Sequence, residues 1–452
     1  MAVEIESVDK AVLVVLDPRD DHEADANTEE LRLLVESAGG RLVDEMHVRR
    51  PTPDRRCFIG KGNAEETFLR VQESSADVVI VGADLSPSQQ RNLERIATVR
   101  VVDRTQLILD IFARRARTSE GKLQVELAQL QYLLPRLTGK GTELSRIGGG
   151  SAGGIATRGP GETKLETDRR RVRKRISILH DELEEVVKHR SVQNKARRQL
   201  MIPNAALVGY TSSGKSTLLN LLAGSEVEAH ARLFATLDPT TRRVDLGGGT
   251  EPHSNQRSGR PPCRPGGTEH RRCDSHSIIL SDTVGFLRNL PHHLIAAFRA
   301  TLEEVVEADF LIHVVDASHH FSAEQGRAVT EVLAELCVQD KPMITVFNKS
   351  DLVKDQYELR RLVAETEDSC YMSALTGDGK EYLIRLIDQV VARLMRRIEA
   401  LIPYDRGDLV ALCHERGRVF ETDYRPDGVY VRVELSPDLE PRIAPYETPG
   451  TA

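Results

Sequence analysis

Ala205-Ala206-Leu207-Val208-Gly209-Tyr210-Thr211-Ser212-Ser213-Gly214-Lys215-Ser216-Thr217 is the stretch on which the reading of this chain turns. Ala205 to Val208 is a buried-strand run, and it leads directly into the spacing GxxxxGKS with a helix from Thr217. Strand, glycine loop and helix come in the order a phosphate needs. The glycines let backbone N–H groups curl round the anion, and the helix N-terminus adds its positive end. Lys215 then reaches β and γ oxygens, and Ser216 ligates Mg²⁺.

Downstream segments extend the pattern. Ser277 to Leu280 is an apolar strand ending at Asp282-Thr283-Val284-Gly285, where the carboxylate holds magnesium through water and the Gly285 N–H senses a γ-phosphate. A strand from Pro342 to Phe347 ends at Asn348-Lys349-Ser350-Asp351. A carboxylate at Asp351 accepts from guanine N1–H and the exocyclic amine, which adenine cannot offer, while Asn348 and Lys349 brace the loop and ring. Ser373-Ala374, after the next strand, matches a backbone contact to guanine O6. The nucleotides read from this set are GTP and GDP. Phe234-Ala235-Thr236-Leu237-Asp238 lies between the phosphate loop and Asp282. A lone Thr in a polar loop is ordinarily just solvated, but its order among these elements makes Thr236 the choice for the threonine completing the magnesium shell. Lys215, Thr236 and Gly285 are therefore the expected catalytic set, and Ser216, Thr236 and Asp282 the metal set. After Gly285 stands Phe286, whose ring cannot polarise water, so slow intrinsic hydrolysis is expected unless another group or a partner positions the nucleophile. His292 and His293 lie nearby, but solvated residues at a helix start explain them better than catalysis.

Outward from this core, the 452 residues divide into several units. Strand and helix patterns alternate from Ala11 to about Arg117, implying a small parallel α/β domain over residues 1–117. A helical pattern from Glu120, with Leu123, Leu127, Leu130 and Leu134 on one face, and a second from about Lys164 to Arg198, with Ile176, Leu179, Leu183 and Val186, read as an antiparallel pair over residues 118–200. The glycine-rich stretch from Gly148 to Gly161 is the loop at its tip. Residues 201–398 alternate strand and helix, so the fold class is α/β with a mostly parallel sheet and helices on both faces. They are interrupted by a Gly-, Pro- and Arg-rich insert over residues 247–276, read as a disordered loop. Residues 399–452 add a helix from Gly407 to Glu415 and alternation from Val429 to Val433, enough for a small α+β appendage.

Hydrophobic residues at 40%, aromatics at 4% and a net charge of −7 fit a helix-rich cytosolic protein with no overall field for nucleic acid, so RNA contact requires a local basic patch. Arg169, Arg170, Arg171, Arg173, Lys174 and Arg175 supply one beside the glycine loop, although Glu182, Glu184 and Glu185 could make the same helix an ordinary solvated face. Six scattered cysteines point to reduced thiols, and Cys263 and Cys273 near His270 and His276 lack the CxxC spacing of a metal knuckle. The start MAVEIESVDK has no basic region before an apolar core, and no apolar run has the length of a membrane span, so a cytoplasmic protein without membrane insertion is expected.

The whole resembles the HflX family of ribosome-associated GTPases. The resemblance is carried by Arg158-Gly159-Pro160-Gly161-Glu162-Thr163-Lys164-Leu165-Glu166-Thr167-Asp168-Arg169-Arg170, by Phe234 to Asp238, and by Asp282 to Phe286 with Leu290-Pro291. Weaker matches are Phe58-Ile59-Gly60-Lys61-Gly62, Leu85-Ser86-Pro87 with Gln89, and Val102-Asp103-Arg104-Thr105. It implies a chain, monomeric off the ribosome, that binds the large ribosomal subunit and its rRNA and, with GTP, helps to split or rescue stalled or stressed ribosomes. A ribosome-biogenesis or RNA-binding factor with incidental hydrolysis is the competing reading. Ser212 stands where family members commonly carry an Asn associated with K⁺-stimulated hydrolysis, and Asn63 where the N-terminal motif usually has Lys, so neither K⁺ stimulation nor a second, ATP site carries over directly. The 247–276 insert is the third departure.

Overall fold

The structure is a computed structural model and describes residues 9–17, 22–137, 160–199, 202–224, 239–246, 277–287, 302–435 and 439–448. Phe234 to Asp238 with Thr236, residues 148–159 of the glycine-rich loop, the 247–276 insert with its cysteines, and His292–His293 lie outside the described residues, whereas Pro160 and Gly161, expected at the end of that loop, instead begin the long helix Pro160–Gln199.

The amino-terminal region runs β1 (Lys10–Asp17), α1 (His22–Ser37), β2 (Arg41–Arg49), α2 (Lys61–Ser74), β3 (Val78–Val81), α3 (Pro87–Ala97), β4 (Arg100–Asp103), α4 (Arg104–Arg115). Its four strands are parallel in the order β2-β1-β3-β4. Both faces are covered, which is why β1 reads as a continuous apolar run. Ala11, Leu13 and Val15 belong to one apolar cluster and Val12 and Val14 to another. The α2 helix was not legible in the pattern, because its buried positions are Ala64, Thr67 and Val71, a stripe too polar to stand out. Leu85-Ser86-Pro87 with Gln89 is a helix start: Ser86 and Gln89 form a reciprocal capping box, and Pro87 takes the first turn of α3.

Next come α5 (Ser119–Arg136) and the long α6 (Pro160–Gln199), which pack on each other. Leu127 and Leu179 are buried, and Arg175 grips Glu126 through two hydrogen bonds of 2.7 and 2.8 Å. On another side, Val125, Ala128 and Tyr132 of α5 join the apolar cluster of β1, α1 and α4. A buried polar node fastens this second contact. Asp103, fully buried at the end of β4, caps α4 at the Gln106 N–H and accepts from Tyr132 Oη and Arg136, each at 2.8 Å. The Arg136 guanidinium also lies 3.4 Å from the Tyr132 ring centre. Burial holds the Asp103 carboxyl above its usual range, against the opposing pull of these donors.

The third region holds β5 (Asn204–Gly209), α7 (Lys215–Ala223), β6 (Thr240–Asp245), β7 (Ser277–Asp282), α8 (Glu303–Glu307), β8 (Phe310–Asp316), α9 (Ser322–Glu335), β9 (Met343–Asn348), α10 (Gln356–Glu365), β10 (Ser369–Tyr371) and α11 (Lys380–Leu394). The strand order is β10-β9-β8-β5-β7-β6, with β6 antiparallel to β7 and the other pairs parallel. Alternate residues feed two cores: Ala205 and Leu207 pack with Leu218 and Leu383 on one face, Ala206 and Val208 with Val305 and Val329 on the other. This is the expected α/β class, and it brings the carboxyl ends of β5, β8 and β9 side by side. Beyond it, β11 (Arg396–Ile402), α12 (Gly407–Arg416), β12 (Arg418–Arg425), β13 (Gly428–Leu435) and α13 (Glu440–Ile443) form an antiparallel sheet in the order β11-β13-β12, with a helix against its core. Among the described residues no helix is long and apolar enough to cross a membrane.

Candidate functional site

The phosphate-loop motif occupies the turn from β5 into α7. Gly209 has φ 156°, and a Cβ there would stand 2.3 Å from the Val314 carbonyl oxygen of β8; at Gly214, with φ 98°, it would stand 2.2 Å from Asn348 Nδ2. Both positions are closed to any side chain, so the glycines set how tightly the loop folds over the sheet. Lys215 is buried, and its ammonium donates to the carbonyls of Gly209 at 3.0 Å and Tyr210 at 2.8 Å. Burial pulls its pKa down to about 8, against the favourable charge of Asp282. Ser216 donates its hydroxyl to Asp282 Oδ2 at 2.6 Å, so the two expected metal ligands converge although 66 residues separate them.

The DxxG segment is laced to the phosphate loop. Thr283 donates to the Leu207 carbonyl at 2.6 Å, the Phe286 N–H to the Gly209 carbonyl at 3.1 Å, and the Thr211 N–H to the Phe286 carbonyl at 3.0 Å. Gly285 is pressed so close that a Cβ would stand 2.8 Å from Thr211 and 3.1 Å from Lys215 Nζ. Phe286 is buried among Val208, Leu302, Val305 and Val329, so its ring anchors the segment from below. Tyr210, Val284 and Leu287 face elsewhere, into the apolar cluster that contains Val125, Ala128 and Tyr132 of α5.

At the other end, Asn348 ties three loops together: Nδ2 donates to the Ser213 carbonyl at 2.8 Å, and Oδ1 accepts from the Ala374 N–H at 2.9 Å. Ser350 N–H donates to the Met372 carbonyl at 3.1 Å, and Ser373 Oγ accepts from the Thr376 N–H at 3.2 Å. Asp351 is exposed on the rim of this junction. Among the described residues, the phosphate loop, the DxxG segment, Asn348 to Asp351 and Ser373-Ala374 thus form one connected set at the carboxyl edge of the sheet.

Two residues here escaped the motif reading. Asp316, which ends β8, pairs with Lys349 at 2.5 Å. Its signal was available, since a carboxylate closing the apolar run Phe310 to Val315 at a strand's carboxyl end is out of pattern. His313, buried on the same strand, is held neutral, with its pKa brought down to about 4 by burial and the Lys215 charge. A histidine inside an apolar strand gave no sign of that neighbour.

A glycine phosphate loop, a DxxG segment and an NKxD segment joined at one sheet edge define a P-loop GTPase. The chain matches the family model described as 50S ribosome-binding GTPase over residues 204–349, GTP-binding GTPase N-terminal over 25–113, and GTP-binding GTPase Middle Region over 115–197. It is 40% identical over 435 residues to GTPase HflX of Caldanaerobacter subterraneus subsp. tengcongensis, covering 96% of this chain and 93% of that protein. GTPase HflX of Lacrimispora saccharolytica is 40% identical over 98% of this chain and 97% of its own length, and that of Escherichia coli K12 41% over 84% and 83%. The chain belongs to the HflX family, and it is an enzyme that hydrolyses GTP to GDP and phosphate.

Proposed function

We propose that this GTPase binds GTP or GDP with Mg²⁺ between Gly209 and Ala374 and, in its GTP state, acts on the large ribosomal subunit to split or rescue stalled or stressed ribosomes. The observation that carries the nucleotide site is the mutual lacing of its three loops through Lys215, Asn348 and the Phe286 backbone. The amides of Gly209 to Thr217 cradle the phosphates, and Lys215 places its ammonium on their oxygens. The Ser216 hydroxyl and Asp282 carboxylate are hard oxygen donors already within 2.6 Å of each other, a set that suits Mg²⁺. When bound, the ion neutralises phosphate charge; Thr236 is assigned to the same shell and Gly285 N–H to the γ-phosphate. Asp351 selects guanine, and Ser373-Ala374 meet its O6.

With Phe286 turned into the core, the protein's own DxxG segment has no side chain after Gly285 to orient water, which favours stimulation by a bound partner. Partner contact is assigned to the amino-terminal half of α6. There Arg170, Arg173 and Lys174 are exposed, whereas Arg175 is occupied by Glu126 and Glu182, and Arg171 leans on Asp168. Such a face suits phosphate-backbone contact, whose affinity falls as salt rises. The regions 1–117, 118–200, 201–398 and 399–452 serve in this reading as four units.

The test is co-sedimentation with large subunits in GDP or a non-hydrolysable GTP analogue at two salt concentrations, combined with GTPase rates with and without subunits. Salt-sensitive binding favoured by the analogue, and a faster rate, are expected. Binding without rate stimulation would instead support the RNA-binding factor with incidental hydrolysis, and no binding in either nucleotide refutes both.

A further inference from the structure

Lys349 sits in the left-handed region, with φ 61° and ψ 35°, a conformation that is unfavourable for a non-glycine residue. Its backbone is nevertheless pinned on both sides. Asp316 lies opposite Asn348 in the β8–β9 register, the Ala317 N–H donates to the Asn348 carbonyl at 2.9 Å, and the Leu352 N–H to the Lys349 carbonyl at 3.0 Å. What such pinning leaves free is the long side chain, with the large rotamer entropy of a four-carbon lysine stem. Asp316 removes that freedom. One oxygen, Oδ1, is fixed from behind by the Ser318 N–H at 3.0 Å and the Ser318 hydroxyl at 2.6 Å, and the other, Oδ2, receives the Lys349 ammonium at 2.5 Å. The carboxylate side chain is only 10% exposed, unlike pairs such as Lys61–Glu65 at 82% and 60%. A carboxylate oriented by two donors before it meets its partner is a preset clamp, whereas an exposed pair contributes little.

We propose that Asp316 is a positioning residue for the guanine nucleotide, acting through Lys349. It holds the lysine stem in place before the base arrives, so that binding does not have to order it. The inference rests on the reading that residues 348–351 receive guanine. It extends the base site from the NKSD loop to a strand end and the turn behind it.

The experiment is a double-mutant cycle on the full-length protein, with GDP and GTP affinities from titration of fluorescent nucleotide analogues, and KM and kcat for GTP. Asp316→Asn is expected to weaken both nucleotides by about tenfold, since an amide N–H₂ replaces an acceptor facing the ammonium, and the loss should appear in KM rather than in kcat. In a Lys349→Met background the same substitution should change affinity by less than about twofold. Ser318→Ala, which leaves the charge and loosens the clamp, should cost about threefold, and it decides the matter if Asp316→Asn does not fold. An equal loss from Asp316→Asn with or without Lys349 would overturn the proposal in favour of a purely structural turn. So would unchanged affinity in Asp316→Asn, or in Ser318→Ala where that variant decides. If Lys349→Met itself binds guanine nucleotides as tightly as the parent, the base-site reading falls with it; if Lys349→Met is weak and Asp316→Asn is not, only the clamp falls.

Discussion

Replacing Gly285 by Ala should separate GTP from GDP, because the added methyl has nowhere to go while the DxxG segment is docked. It would stand 2.8 Å from both Cα and Cγ2 of Thr211, about 0.7 Å inside an ordinary carbon–carbon contact of about 3.5 Å. Thr211 Cα is backbone, and the other near neighbour, Lys215 Nζ, is held by two carbonyls, so the segment itself must retreat. A retreat of about 0.7 Å stretches the hydrogen bonds between Phe286 and both Gly209 and Thr211, now 3.1 and 3.0 Å, beyond useful length. Two backbone hydrogen bonds at about 1 kcal/mol each, added to about 1–3 kcal/mol for overpacking, place the cost of docking near 3–5 kcal/mol. Because only a γ-phosphate needs the Gly285 N–H in place, GTP affinity should fall by about 30-fold or more and GDP by less than about threefold. Titration of Gly285→Ala with fluorescent GTP and GDP analogues in Mg²⁺ reads both numbers. Equal losses for the two nucleotides, or none for either, would refute the argument that docking of this segment is tied to the γ-phosphate.

Other substitutions probe the remaining joints. Asn348→Asp keeps the acceptor for the Ala374 N–H but sets a carboxylate oxygen against the Ser213 carbonyl, so GTP and GDP should both weaken by about 10- to 100-fold, read by the same titration. Asp103→Asn removes the charge facing Arg136 at a fully buried site, and a loss of about 1–3 kcal/mol is expected from the urea midpoint of the amino-terminal transition. His313 is neutral in the fold down to about pH 4, while an unfolded histidine takes up its proton near pH 6.5. Between those values the unfolded chain binds more protons, so its contribution falls as the pH drops, by about 1.4 kcal/mol per unit. His313→Leu should flatten this slope in denaturation midpoints between pH 6.5 and 4.5, and an unchanged slope would show that the imidazole is not the group titrating.

Much of the nucleotide region was legible because its chemistry is local. Gly209 to Ser216 and Asn348 to Asp351 carry their spacing within a few residues, and the apolar runs around them name the strands. Partnerships at long range were not legible. Nothing in residues 102–105 reveals that Asp103 awaits Tyr132 and Arg136, because that pairing depends on how α5 lies across the ends of β3 and β4. The leucine stripe of α5 pointed to one buried side, yet Gln124, Val125, Ala128 and Tyr132 make a second, since small and polar residues there blur the period. The strands β11 and β12 stayed hidden for a related reason: β12 is an edge strand of charged and aromatic residues, and only three inward positions of β11, Ile398, Ala400 and Ile402, mark its alternation.

The burial of Tyr210, Val284 and Leu287 in one apolar cluster with Val125, Ala128 and Tyr132 of α5 has a practical bearing on how this molecule can be dissected. These residues belong by position to the phosphate loop and the DxxG segment, and by packing to a cluster shared with the amino-terminal region and α5. A fragment trimmed to the sheet from β5 to β10 would carry the described loops, yet uncover the apolar cluster in which Tyr210, Val284 and Leu287 lie, next to the phosphate loop and the DxxG segment. Biochemists who prepare such a fragment should graft polar replacements at Tyr210 and Leu287, or retain the stretch from Ser119 to Arg136 as a cover, before attributing any altered turnover to lost regulation.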